Sequence, residues 1–179
     1  MNEPPSRRPQ RLFTNVGRPV VKLRRILVPV DFRGTTAEAL RYAAAFAREY
    51  RATIILLHVV VPDGSHVKRN ISKERLIEEL CEVGESQIRQ LVDVIWGDEI
   101  AVDIVVASGK PEVQIVNGAR EMKADMIIMA SLGTIGSWGF FHRSTLAKVV
   151  QRAPCPVLVV PALERGFVIN ETVQGCVDR

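Results

Sequence analysis

The sequence predicts an α/β domain built on an open, parallel, five-stranded sheet with helices on both faces. Three observations carry that expectation. Five short apolar runs alternate with four stretches of helical spacing, the pattern of repeated strand–helix–strand units. The apolar runs are continuous and rich in β-branched residues, as strands buried on both faces require. The 179 residues, 47% hydrophobic and 25% charged, suffice for one domain with its own core.

The elements follow in order. RRILVPVD (24–31) reads as the first strand and ends in Asp31. Thr35-Thr36-Ala37-Glu38 is a capping-box pattern, a hydroxyl taking orphan amides while the glutamate reaches back. Apolar positions 40, 43, 44 and 47 continue it as a helix. TIILLHVV (53–60) is the second strand. A polar stretch leads to a helix over about 72–96, with Ser72 as N-cap, a stripe of Leu76, Leu80, Val83, Ile88, Leu91 and Ile95, and Gly97-Asp98 as its end. IAVDIVVA (100–107) is the third strand, and Pro111 suits the first position of a helix reaching about Lys123. ADMIIMA (124–130) and PVLVVP (156–161) are the fourth and fifth strands, with a last helix over about 144–152 between them. Crossovers between parallel strands are expected to be right-handed.

Charge and composition narrow the function classes. The net charge of +4 is uneven: residues 1–25 hold six arginines, one lysine and one glutamate, whereas the remainder is net negative by two. The basic character belongs to an N-terminal arm, residues 1–22, expected to be a disordered solubilising tail with three prolines before residue 10. Nucleic acid is expected only through that arm, since the body shows no interleaving of basic and aromatic residues. Cys81, Cys155 and Cys176 have no ligand-like spacing, and an odd number argues against a disulfide framework. With no apolar run of membrane-spanning length and no signal-peptide pattern, the expectation is a cytoplasmic protein without membrane contact or structural metal. Residues 162–179 show no strong period and form a tail, docked or disordered.

Two strand ends carry polar chemistry. Asp31 follows the first strand, and MASLGTIGSWGFFHRSTLAKVV (129–150) follows the fourth. Ligands of doubly wound sheets sit beyond the carboxyl ends of strands where the order reverses. If these two strands are neighbours there, the loop amides and the next helix N-terminus face an anion, Ser144 and Thr145 add hydroxyls, and Asp31 faces ribose hydroxyls or a base amino group. The loop matches neither G-x-G-x-x-G nor G-x-x-x-x-G-K-[ST], and lacks a phosphate-gripping lysine. Elsewhere His58 reads as a satisfied strand histidine, Cys155 between two prolines as a packed thiol, and Ser108-Gly109-Lys110 as a plain turn. The carboxylates at 98, 99 and 103 read as a solvated strand start. His66 and His142 carry no assigned role. No serine–histidine–acid or cysteine–histidine arrangement emerges, so binding is expected rather than catalysis.

ILVPVD, LLHVV, ADMIIMASLG, the hydroxyl pair at 144–145 and APCPVLVVP, taken in order, resemble the universal stress protein family over about residues 23–161. The resemblance implies a Rossmann-like sheet in the order 3-2-1-4-5 and a homodimer paired through the strand at 156–161. One branch of the family binds ATP through Gly-x2-Gly-x9-Gly-(Ser/Thr). On this chain those positions hold Ala130, Gly133, Arg143 and Ser144, so two of the three glycines are replaced. A methyl at Ala130 is mild. At Arg143, bulk is strained if the position requires positive φ. Trp138, Phe140 and Phe141 add bulk nearby. Either Arg143 swings out to contact phosphate, or it fills the groove. The positions that resemble the family's adenosine contacts are intact: Pro29, Val30, Asp31, Val59 and Met129. The resemblance therefore implies a stress-response regulatory module with weakened or altered binding of AMP, ADP or ATP. A dimeric scaffold without nucleotide, docking an unidentified protein partner, and a slow ATP hydrolase or phosphoryl-transfer protein remain the alternatives.

Overall fold

The computed structural model describes residues 20–32, 36–61, 72–96, 99–131, 143–161 and 168; the side chains at 73, 94, 95, 143 and 144 are left aside. The predicted alternation is present: β1 (Arg25–Val30), α1 (Thr36–Tyr50), β2 (Thr53–Val60), α2 (Lys73–Ile95), β3 (Val102–Ser108), α3 (Pro111–Glu121), β4 (Met126–Ser131), α4 (Arg143–Arg152) and β5 (Val157–Pro161). The strands form one sheet in the order β3-β2-β1-β4-β5, with parallel pairing throughout. Moving outward from β1 to β2 to β3 with right-handed crossovers puts α1 and α2 on one face. The return to β4 and β5 puts α3 and α4 on the other.

Two cores result. Ile26, Val28, Val30, Ile54 and Leu56 pack under α1 and α2, while Leu27, Ile55, Leu57, Ile127 and Met129 pack under α3 and α4. The continuous apolar strands are thereby explained, because alternate side chains enter different cores. Val168, on the far side of β5 in sequence, rests on the first core, and its carbonyl accepts a hydrogen bond from Arg41 Nη1 on α1.

Several local expectations meet corrections. The Ser72 hydroxyl caps α2 by accepting from the Arg75 amide at 3.3 Å, and Pro111 opens α3, both as predicted. The Thr35 end of the predicted capping box of α1 lies outside the described residues, while the Glu38 carboxylate accepts the Arg41 guanidinium at 2.7 and 3.0 Å. Val83 leaves the α2 stripe and is 55% exposed; the buried line runs through Gly84 to Ile88, and Gly84 lies against His58 of β2. Helices α1 and α3 are each followed by a cation in the left-handed region, Arg51 at φ 53° and Lys123 at φ 52°, where glycine is the usual residue. Glu99 and Asp103 are not merely solvated, for they hold Arg48 and Arg25 at 2.8 Å each. The arm up to residue 19, Thr35, His66, Gly97-Asp98, residues 132–142 and Cys176 lie outside the described residues.

Candidate functional site

Sheet topology places the crevice. β1 and β4 pair only at Ile26–Met126 and Leu27–Ile127, although β1 stays paired with β2 up to Val30 and β4 with β5 up to Ser131. The two central strands therefore part over their last residues, at the point where strand order reverses. Pro29 contributes to the parting. Proline has no amide donor, and the β1–β2 ladder continues past it to Val30–His58, so the missing rung falls on the β4 side. Carrying the β1–β4 register forward sets Pro29 level with Met129 and Val30 level with Ala130.

The predicted residues divide between the two faces of this opening. Val59 and Met129 are buried in the core under α3 and α4, whereas Val30 is buried in the core under α1 and α2, against which Ala130 also packs. Pro29 is buried and Asp31 half-buried at the lip. Asp31 is tied to the start of α1, its Oδ1 accepting the Thr36 hydroxyl at 2.6 Å. Thr145 is buried in the first turn of α4, and the backbone of Arg143 and Ser144 opens that helix. Gly133, together with Gly136, Trp138, Gly139, Phe140, Phe141 and His142, lies outside the described residues. The structure thus sets Pro29, Val30, Asp31, Met129 and Ala130 at the ends of the two strands that part, with Val59 one strand over on β2.

The lip has a support that the residue pattern did not reveal. His58 Nδ1 lies 2.9 Å from the Val30 carbonyl, and the Phe32 ring sits 4.7 Å from the imidazole at a tilt of 51°. Phe32 itself adopts φ 56°, turning the chain sharply just after Asp31. On the far side, a Cβ added at Gly84 would stand 2.8 Å from His58 Cδ2. His58 is the satisfied histidine expected, and it also fixes the backbone that presents Asp31. Thr36 was missed because it was read only as part of a cap. A hydroxyl at a helix start, five residues beyond a strand-end carboxylate, is the signal that would have found it.

Flanking groups are structural. Glu112, in the first turn of α3, accepts Lys148 Nζ of α4 at 2.8 Å. That bond, then a backbone hydrogen bond, holds its carboxyl below the usual glutamate range. Gly109, at φ 135°, donates its amide to the Val60 carbonyl at 3.0 Å, and Gln114 Nε2 donates to the Ser108 carbonyl at 3.0 Å. The Ser108-Gly109-Lys110 segment is thus a closed turn. Burial, and then the Asp125 carboxylate, push the Cys155 thiol up, the opposite of an activated nucleophile. Among the described residues no group of three or more His, Cys, Asp or Glu is placed to hold a metal ion, and no helix is long and apolar enough to cross a membrane.

Comparison with known proteins agrees with this architecture. The family model of the universal stress protein family matches residues 22–161. Universal stress protein MJ0531 of Methanocaldococcus jannaschii is 30% identical over 140 residues, covering 76% of this chain and 81% of that protein. The solved structure of MJ0577, described with a structure-based assignment of its biochemical function, superposes with a TM-score of 0.65 at 27% identity, covering 79% of this chain and 97% of its own. MJ0577 comes from the same organism. The universal stress protein of Archaeoglobus fulgidus in complex with dAMP shares the fold at a TM-score of 0.51 and 22% identity, over 79% of this chain and 99% of its own. With the predicted strand order present and the family model spanning every strand and helix of the sheet, this chain belongs to the universal stress protein family.

Proposed function

We propose that the chain is a stress-response binding module whose β1/β4 crevice takes an adenine mononucleotide and has weakened recognition of a triphosphate. The observation that carries this reading is the early end of the β1–β4 ladder at Leu27–Ile127, with Asp31 just beyond β1 and the Ser144-Thr145 start of α4 following β4 in the chain. Asp31 is the group for ribose hydroxyls. The apolar surroundings of Val59 and Met129 suit the flat base, and the α4 N-terminus with Ser144 and Thr145 suits a phosphate. A relative bearing dAMP supports an adenine mononucleotide as the class of ligand. Replacement of motif glycines by Ala130 and Arg143 is the reason to expect the longer phosphate chain to be disfavoured.

The module is proposed to act as a homodimer joined through β5, an edge strand paired on its inner side with β4. Calorimetric titration of the purified protein with AMP, ADP and ATP tests the ligand reading. AMP is expected to bind at least as tightly as ATP, and Arg143→Gly to restore ATP affinity. Micromolar ATP affinity in the unaltered protein would overturn the weakened-site reading, and no uptake of any of the three would leave the non-nucleotide scaffold.

A further inference from the structure

A second polar concavity lies at the opposite edge of the sheet, where the parallel strands begin. It is a shallow, widely open depression of about 790 Å3, lined by Arg24 and Arg25 before and at the start of β1, Tyr50 and Arg51 at the end of α1, Thr53 on β2 and Asp103 on β3. Three arginines and one carboxylate line it, two positive charges in net, while the Asp125 carboxylate at the same edge accepts the Arg24 and Arg25 amides at 2.8 and 3.0 Å. The C-terminal carbonyls of α1 place roughly half a negative charge at this edge, too little to cancel the two positive ones.

The pairing of the arginines is unequal. Arg41, Arg48, Arg75 and Arg89 each hold a carboxylate on the surface. Among the described residues, Arg24 and Arg51 have no ion-pair partner, though both line the concavity. Arg25 is held through one nitrogen, Nη2, at 2.8 Å from Asp103, and its Nε is buried with no hydrogen-bond partner among the described residues. A guanidinium held through one nitrogen keeps its charge and further donors for an oxyanion in the concavity, although Nε itself is closed off from solvent. The turn that brings Arg51 to the wall is the left-handed residue between α1 and β2.

We propose that this concavity is a second ligand site, independent of the crevice and selective for a phosphate dianion carried by a small molecule. Arg24, Arg25 and Arg51 supply the charge, and the Thr53 and Tyr50 hydroxyls supply neutral donors. Asp103 orients Arg25 and limits the net charge. Two positive charges match one phosphate group. A nucleic-acid backbone, which carries a charge about every 1.7 Å of duplex, calls for a longer basic track. The volume exceeds what one phosphate needs and lies in the range of small-molecule pockets.

The test is calorimetry on the full chain at low ionic strength with inorganic phosphate and with phenyl phosphate. One ligand per chain is expected, and Arg24→Gln and Arg51→Gln should each weaken binding about tenfold, since each removes a charge-assisted contact. Asp103→Asn should tighten it, a gain that damaged folding does not produce. The triple change Arg7→Gln, Arg8→Gln and Arg11→Gln in the arm should leave it unchanged. Tighter binding of phenyl phosphate, lost in Tyr50→Ala, identifies an ester as the natural ligand, and equal affinity identifies free phosphate. No uptake of either probe overturns the proposal. So does affinity that falls with the arm variant and ignores Arg24 and Arg51, or an Asp103→Asn variant that binds more weakly while keeping its circular dichroism spectrum.

Discussion

Gly84 has no side chain because His58 occupies the space above it. The imidazole cannot swing aside, being held by the Val30 carbonyl at 2.9 Å and by the Phe32 ring at 4.7 Å. A methyl at Gly84 would lie 2.8 Å from Cδ2, so either α2 lifts from the sheet or His58 gives up its bond. Gly84→Ala is expected to cost about 1–3 kcal/mol, the usual penalty of overpacking a tight contact, read as a lower urea midpoint at unchanged m-value. The penalty should vanish in a His58→Ala background; if it persists there, the clash lies elsewhere. Residues of this kind were only half legible. His58 was recognised as a satisfied strand histidine, yet its partner glycine was not, because Val83 one position earlier is the more hydrophobic choice for the stripe. Hydropathy ranks residues by what they bury. A close approach of two elements selects the smallest side chain instead.

Helix ends were legible wherever the signal was local. Ser72 and Pro111 act through the first turn alone, and both were found where the sequence placed them. The Glu112–Lys148 bond between α3 and α4 was invisible, because its residues are 36 apart in sequence and meet only through packing. Its pH dependence has a definite sign. The folded-state pKa of Glu112 is depressed below its ordinary 4.5, so the pair stabilises the fold above that value. The contribution is lost as pH falls from there through the folded value. With Lys148 half-exposed, the contribution is about 0.5–1 kcal/mol. Glu112→Gln should therefore lower stability by that amount at pH 7, and the gap to the unaltered protein should close in acid. Denaturant melts at pH 7 and pH 3.5 measure both; a gap unchanged by acid would mean that the ion pair contributes nothing.

At the scale of the whole molecule, one sheet carries two polar ends with different chemistry. The carboxyl ends of β1 and β4 frame a crevice with Asp31 at its lip, and the opposite edge gathers Arg24, Arg25 and Arg51. The proposed dimer belongs to this scale as well. Val159→Lys, on β5, is expected to convert the assembly to monomers in sedimentation velocity by charging a paired strand. A dimer that survives the change would place the interface elsewhere.

The sequence by itself determined the strands, the helices, the parallel sheet and the polar strand ends. Each depends on periodicity and local capping, which act over a few neighbouring residues. The strand order was legible only through the family resemblance, and the structure shows that order. Only the tertiary structure decided that β1 and β4 part after Leu27, that Thr36 holds Asp31, and that His58 stands between Phe32 and Gly84. It alone gathered residues from 24 to 103 around one arginine-lined wall. Those contacts join elements far apart in the chain, and their geometry is set by packing, on which a local pattern carries no information.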